Sequence, residues 1–406
     1  MQVETPEDRY ARYSRAIKGE ALPVAVIDLD ALDRNVRTVL APAAARGKAV
    51  RIASKSLRSV DLVRRIAAEG GEVVRGVMAY CAAEASYLVG EGLKDLLLAY
   101  PSVHPEDARR IALANAAGAV VRTVADAPEH LAVLSRAALD AGTTVPVVVD
   151  VDVAYQPLGA HIGVRRSPLH DVATVVAFVR KVRDTPGLSF AGLLAYEAHI
   201  AGLADIPGPG GGWLDSAAKR QMKLRARTAV AVQRADLALA LEKEGIPVPL
   251  FNGGGTGSVA WTADESVITE IAAGSGFLTS HLFDLYRDIR LEPAVSFALQ
   301  VCRRPADGFV TCLGGGFVAS GSAGVDRLPQ PYLPPGLALT KLEGAGEVQT
   351  PLVVPAGLSL PLGAPVFFRH AKTGELSEHF NEYVLVRGDR IEGRAVTYRG
   401  AGKAFL

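Results

Sequence analysis

The stretch Val50-Arg-Ile-Ala-Ser-Lys-Ser56 decides the fold. Residues 50–53 form a short apolar run, and the chain then turns on Ser54, Lys55 and Ser56 before a segment of different period, SVDLVRRIAAEGG at 59–71. In that segment apolar residues recur at intervals of three and four, an acidic residue stands early and glycines stand at the end, which predicts a helix. Strand, polar turn and helix make one unit, and the unit recurs. Further runs are VVRGVM at 73–78, DLLLAY at 95–100, AVVRTV at 119–124, PVVVDV at 146–151, FAGLLAY at 190–196, VPLFNG at 248–253 and ITEIAAG at 268–274. They are apolar on both faces, as strands of a parallel sheet with both sides covered must be. Eight such units over about 250 residues point to an α/β fold, a (β/α)₈ TIM-type barrel. A doubly wound open sheet shares the same periodicity.

From about Leu291 onward the texture changes. Pro and Gly separate the runs AVSFALQVC, GFVTCLGGG, APVFFRHA and EYVLVRGDRIEGRAVTY, which read as a mainly antiparallel β domain. The expected organisation is an N-terminal arm at 1–23, the barrel at 24–290 and the β domain at 291–406, with strand 24–28 a candidate to join the last. Lys and Arg number 44 against 43 Asp and Glu, with no basic cluster, so no nucleic acid is expected as a partner. The longest weakly charged stretch, 353–368, holds three prolines and is too short to span a bilayer. The polar start MQVETPEDRYARYSR lacks the apolar core of a signal peptide. Cys81, Cys302 and Cys312 have no metal-like spacing and read as thiols of a reducing cytoplasm.

In a parallel barrel the residues after the strands carry the chemistry. Lys55 stands at such a place, where partial burial would favour a free amine able to condense with a carbonyl. Asn252-Gly-Gly-Gly-Thr-Gly-Ser258 follows the seventh run. There Gly254, Gly255 and Gly257 let backbone amides converge on an anion, and Thr256 and Ser258 add hydroxyls. The stretch lacks the Gly-Lys-Ser/Thr ending of a nucleotide P-loop. Gly274 and Ser275, after the eighth run, can extend the same cradle. Tyr196-Glu-Ala-His199 follows the sixth run and offers an aromatic ring for a flat ligand, with Glu197 or His199 to move protons. In the β domain, His370 with a nearby carboxylate could hold a divalent cation. The loop 206–215, IPGPGGGWLD, has the composition of a mobile cover.

Taken together, DLDALDRNV at 28–36, the Ser54-Lys55-Ser56 turn, GLLAYEAHIAG, NGGGTGS and TEIAAGS resemble the fold-type III pyridoxal-phosphate enzymes. The resemblance runs in order along nearly the whole chain. It is strongest to the D-threonine aldolase and D-serine dehydratase-like branch of the alanine racemase superfamily. It implies cofactor carried on Lys55, with Arg51, Gln156 and Tyr196 among the residues around it and the phosphate near Gly254, Gly255, Thr256, Gly257, Ser258, Gly274 and Ser275. It implies a homodimer acting on a small amino acid, a D-configured 3-hydroxy-α-amino acid, by retro-aldol cleavage or dehydration. Lys55, His199 and His370 would be the catalytic residues, and His370 a ligand for Mn, Mg or Zn.

The chain also departs from the branch. Ser56 and Leu57 stand where a histidine follows the lysine, and Gln156 stands near the place of an arginine. Ala272 occupies a position where a longer polar residue is common. Lys372 stands where the metal pair has Asp or Cys, so Glu375, His379 or Glu382 would have to complete a metal site. An amino-acid racemase on the same scaffold, using Tyr332, Tyr383 or Tyr398 as second base, is the alternative enzyme. A non-catalytic pyridoxal-phosphate-binding protein is the alternative outside catalysis.

Overall fold

The structure is a computed structural model that describes residues 4–207 and 213–405. The chain divides into two compact units. One comprises Thr38–Lys55 and Arg65–Gly274 with the last residues of the chain, and the other comprises Met1–Arg37, Ser56–Arg64 and Ser275–Ala404.

The first unit is a closed eight-stranded parallel barrel. In chain order after β1 (Val24–Asp28), its strands are β2 (Ala49–Ala53), β3 (Val74–Ala79), β4 (Asp95–Leu98), β5 (Val120–Ala125), β6 (Val145–Asp150), β7 (Leu188–Leu194), β8 (Phe251–Gly253) and β9 (Glu270–Ala273). Each of the eight apolar runs supplies one strand, and β9 closes on β2 with Ile271 opposite Val50. Burial on both faces explains the runs: Val147, Val148 and Val149 of β6 are all wholly buried. The covering helices follow the usual physics of stripes and caps. In Val172–Asp184, Asp171 accepts the Thr174 amide at 2.9 Å, and Val175, Val176, Phe178, Val179 and Val182 make the buried face. One glycine sets the barrel's geometry. Gly192 in β7 has φ +144°, and a Cβ there would lie 2.0 Å from the Leu250 carbonyl oxygen. Only glycine allows β7 to approach the chain leading into β8 so closely.

The second unit is a nine-stranded, mainly antiparallel sheet. Its later strands are β10 (Val295–Arg303), β11 (Phe309–Leu313), β12 (Gln330–Leu333), β13 (Ala338–Leu339), β14 (Gln349–Val353), β15 (Pro365–Arg369), β16 (Glu382–Arg387) and β17 (Arg390–Val396). The early strand β1 joins this sheet. It lies between β10, antiparallel to it, and β16, parallel to it. The N-terminal arm is a helix, Pro6–Ala16, capped by Thr5. Its Tyr13, Ala16 and the following Ile17 pack with Val24, Val26, Ala298, Leu333, Phe367, Val384 and Val386 in the core of this unit. No helix among the described residues is long and apolar enough to cross a membrane.

Candidate active site

Lys55 sits in a one-turn 3₁₀ segment, Ser54–Ser56, immediately after β2. The Ser54 hydroxyl anchors the turn by donating to the Met78 carbonyl at the end of β3, 2.9 Å away. The lysine Nζ donates to the Tyr100 hydroxyl at 2.9 Å, and Tyr100 itself follows β4. The Lys55 side chain is exposed, so the expected burial of its amine does not occur in this chain by itself.

The turn after β8 is braced from within the protein. Glu197 is wholly buried and accepts the Gly254 amide at 3.0 Å and the hydroxyls of Ser258 and Thr262, each at 2.7 Å. It also pairs with Arg234 of the long helix Trp213–Lys243, a guanidinium that donates to the Ala195 carbonyl and to Glu265 as well. Burial alone would push the Glu197 carboxyl up. Arg234 and the three donors more than offset it and hold the group below its ordinary range. Glu197 is therefore an ionised brace and not the proton carrier its motif suggested. The same bonds revise two further assignments. The Gly254 amide and the Ser258 hydrogen are spent on Glu197, while the Ser258 oxygen accepts the Gly255 amide at 3.1 Å. These two residues shape the turn.

Tyr196 lies against this turn. A Cβ on Gly255 would come within 3.1 Å of the Tyr196 ring and 3.2 Å of Ala201, so the close approach requires glycine. Burial pushes the Tyr196 phenol up to about 12, the charges of Glu197 and Tyr100 add to this, and Arg166 opposes it. The Arg166 guanidinium stands 6.0 Å from the Tyr196 ring centroid. Lys55, Tyr100, Tyr196 and Gly255 thus form a connected series across four strand ends of one barrel.

Beside it, the loop after β6 carries charges that the sequence reading passed over. Asp150 ends β6, and burial followed by the neighbouring Asp126 pushes its carboxyl up to about 7, with Arg166 opposing and Asp152 adding to the rise. His161 Nδ1 is 3.9 Å from the Asp152 carboxylate. The Nε2 atoms of His161 and His199 are both buried without a hydrogen-bond partner. Burial lowers the His199 pKa below its ordinary value, and Arg234 and His161 add to this against Glu197 and Asp152. Gln156, by contrast, is exposed. The only sequence signal for this group was its place after a barrel strand.

One expectation falls elsewhere. Arg51 is 1 % exposed and committed to a two-pronged ion pair with Glu270, at 2.7 and 2.8 Å, and to Asp95 at 2.8 Å. Glu270 and Asp95 begin their strands, so Arg51 belongs to the end of the barrel opposite Lys55. There a cavity of about 410 Å³ is lined by Arg51, Arg75, Asp95, Arg122 and Glu270. Gly274 is buried just beyond β9, whereas Ser275 starts the short helix Ser275–Leu278 and is counted with the sheet unit. Of the loop 206–215, residues 208–212 lie outside the described residues.

The expected metal site does not assemble. His370, in the sheet unit, has Nδ1 against the carbonyl and amide of Lys372, at 2.6 and 2.9 Å. The Lys372 ammonium lies 2.6 Å from the Ser320 hydroxyl and 3.3 Å from Glu375. The Glu375 carboxylate accepts the Ser320 amide and hydroxyl, His379 stacks on Phe317 and Glu382 pairs with Arg394. Among the described residues no group of three or more His, Cys, Asp or Glu is placed to hold a metal ion. His370 Nε2 is buried without a hydrogen-bond partner, so one imidazole nitrogen is open to a cation whose other ligands the described side chains do not supply as a cluster.

Residues 27–278 match the family described as alanine racemase, N-terminal domain. A 3-hydroxy-D-aspartate aldolase of Paracoccus denitrificans (strain Pd 1222) is 30 % identical over 253 residues, 62 % of this chain and 59 % of that protein. The chain therefore aligns with about three fifths of that relative's length. Among solved structures, D-threonine aldolase from Filomicrobium marinum superposes with a TM-score of 0.77 at 22 % identity, over 94 % of this chain and 96 % of that one. D-threo-3-hydroxyaspartate dehydratase from Delftia sp. HT23 gives 0.73 at 21 %, over 94 % and 98 %. At these identities the two structures speak to the fold.

Proposed function

The chain belongs to the alanine racemase N-terminal domain family, and from that premise we propose that it is a pyridoxal-phosphate-dependent lyase of D-configured 3-hydroxy-α-amino acids. The observation that carries the reading is the series Lys55, Tyr100, Tyr196 and Gly255 at the strand ends of one closed barrel. An amine, an aromatic face and a glycine-rich turn in one series support the binding of a flat phosphorylated aldehyde. The cradle fits that group on steric grounds, because a Cβ on Gly254 would lie 2.7 Å from Ile271 and one on Gly255 would meet Tyr196. Lys55 would hold the cofactor, Tyr196 would lie over it, and Thr256 and Gly257 would meet its phosphate at a turn kept rigid by Glu197.

Bound there, pyridoxal phosphate supplies an acceptor for the electron pair released at the substrate's Cα. The chain's own task is to steer which bond breaks. Arg166, next to Tyr196, would be a cation available to a substrate carboxylate. Cleavage of Cα–Cβ also requires an acceptor for the 3-hydroxyl proton, and the barrel offers two buried, uncommitted imidazole nitrogens. Retro-aldol cleavage to glycine and an aldehyde is the preferred reaction, with dehydration on the same residues as the second. The aldolase name of the curated relative supports the first, and the dehydratase among the structural neighbours supports the second. The reading includes a homodimer in the cytoplasm, in keeping with three free cysteines.

The test is the absorbance spectrum of the purified protein with pyridoxal phosphate, before and after borohydride, followed by peptide mapping. A visible band that disappears with the cofactor fixed on Lys55 is the expected result. Lys55→Ala should lose both the band and all cleavage of D-threonine and 3-hydroxy-D-aspartate. A Lys55→Ala protein with full activity would overturn the reading.

A further inference from the structure

Resting on the lyase reading, we propose that His161, oriented by Asp152, is the base that takes the proton from the substrate's 3-hydroxyl. Buried imidazoles normally satisfy both ring nitrogens, and each exception asks for an explanation. Three imidazole nitrogens are exceptions among the described residues, and two of them, His161 Nε2 and His199 Nε2, follow neighbouring strands of the barrel, whereas His370 lies in the sheet unit.

The two imidazoles are not equivalent. Asp152 is firmly set. Its Oδ1 accepts the Ala154 amide at 2.8 Å, and its carbonyl meets Gln233 Nε2 at 3.0 Å and His170 Nδ1 at 2.9 Å. Its Oδ2 remains directed at His161 Nδ1, 3.9 Å away, a separation of the kind that tightens when substrate closes a site. The His161 ring is itself located by the adjacent bridge, in which Tyr155 and Ile162 exchange two backbone hydrogen bonds of 2.9 Å. A carboxylate beside Nδ1 keeps the proton there, turns Nε2 into the acceptor and stabilises the cation formed on proton uptake. His199 has Glu197 and Asp152 only as neighbouring charges, and Glu197 is occupied by Arg234, Gly254, Ser258 and Thr262. It suits a neutral donor to the substrate oxygen better than a base.

The step balances. The substrate O–H bond breaks and its proton passes to His161 Nε2. The O–H electron pair forms the second C–O bond of the aldehyde, and the Cα–Cβ bond breaks with its pair left on Cα, a charge that bound pyridoxal phosphate would stabilise. Cα then takes a proton to give glycine, and His161 returns its own to solvent.

His161→Asn keeps an amide donor for Asp152 but has no base at the Nε2 position. With cofactor-loaded protein, its kcat for cleavage of D-threonine and 3-hydroxy-D-aspartate is expected to fall by about 10²–10³-fold, the range of a lost general base, with KM within about threefold. Exchange of the glycine α-proton with D₂O needs Lys55 and the cofactor but no hydroxyl proton transfer, and it should persist in the variant. Asp152→Asn should lose cleavage by about tenfold, as a positioning residue. Equal cleavage by His161→Asn and wild type, or a parallel loss of cleavage and exchange, overturns the assignment. So does a kcat loss confined to His199→Asn. A wild-type protein that binds cofactor and exchanges glycine but cleaves neither substrate overturns the lyase reading itself, which the His161 variant alone cannot do.

Discussion

At Asp150 a carboxyl group at the end of a barrel strand sits beside Asp126 and Asp152, with Arg166 as the opposing cation. Burial and the two carboxylates disfavour its charge, so the folded chain keeps the proton up to about pH 7, whereas an unfolded aspartate releases it near about 4. Between those values the native state binds more protons than the unfolded one, and stability falls as pH rises through the window. Asp150→Asn removes this dependence. Thermal unfolding at pH 5 and pH 8 should show the variant gaining on the wild type at the higher pH. A constant difference would mean that Asp150 titrates as an ordinary aspartate. Residues 150–157, DVDVAYQP, contain Asp150 and Asp152 but cannot show their crowding, because the neighbouring strand brings Asp126 alongside.

At the level of the element, the glycine-rich turn is legible as a turn, yet the group that shapes it is distant in sequence. Glu197 follows β7, Arg234 comes from a helix 37 residues on, and the amide and hydroxyls they organise follow β8. Removing one partner leaves a buried charge without compensation, a loss of about 3–5 kcal/mol. Glu197→Ala should therefore lower stability by that order in denaturant unfolding and weaken cofactor binding, because Gly254, Ser258 and Thr262 all lose their acceptor. A variant of wild-type stability would show that the turn holds its shape without the brace. The same limit applies to Lys55. A lysine after a strand is visible in the sequence, but its hydrogen bond to Tyr100 arises only because β4 stands two strands along the barrel.

At the level of the whole molecule, each unit has its own core and its own logic. The partners that Lys372, Glu375 and Glu382 find in the sheet unit carry a measurable consequence. Dialysis against a chelator should leave the melting temperature unchanged, since no described cluster of side chains holds an ion whose loss would expose buried charge. A marked fall on chelation, restored by a divalent metal, would show a site built differently. The chain's periodicity determined by itself the eight strands, the helices between them and the change to an antiparallel sheet, while closure of β9 on β2 is seen only in the tertiary structure. Those features follow from local burial pattern and turn chemistry, and each is written within a dozen or so residues. The departure at Lys372 was equally plain, because a cation cannot take the place of an anionic ligand. Only the tertiary structure decided the rest. It put β1 between β10 and β16, sent Arg51 to the Glu270 end of the barrel, turned Glu197 from proton carrier to brace and brought His161 to Asp152. In each case the deciding partner is remote in the chain or sits in an irregular loop, where no period records which way a side chain faces or what charge will meet it.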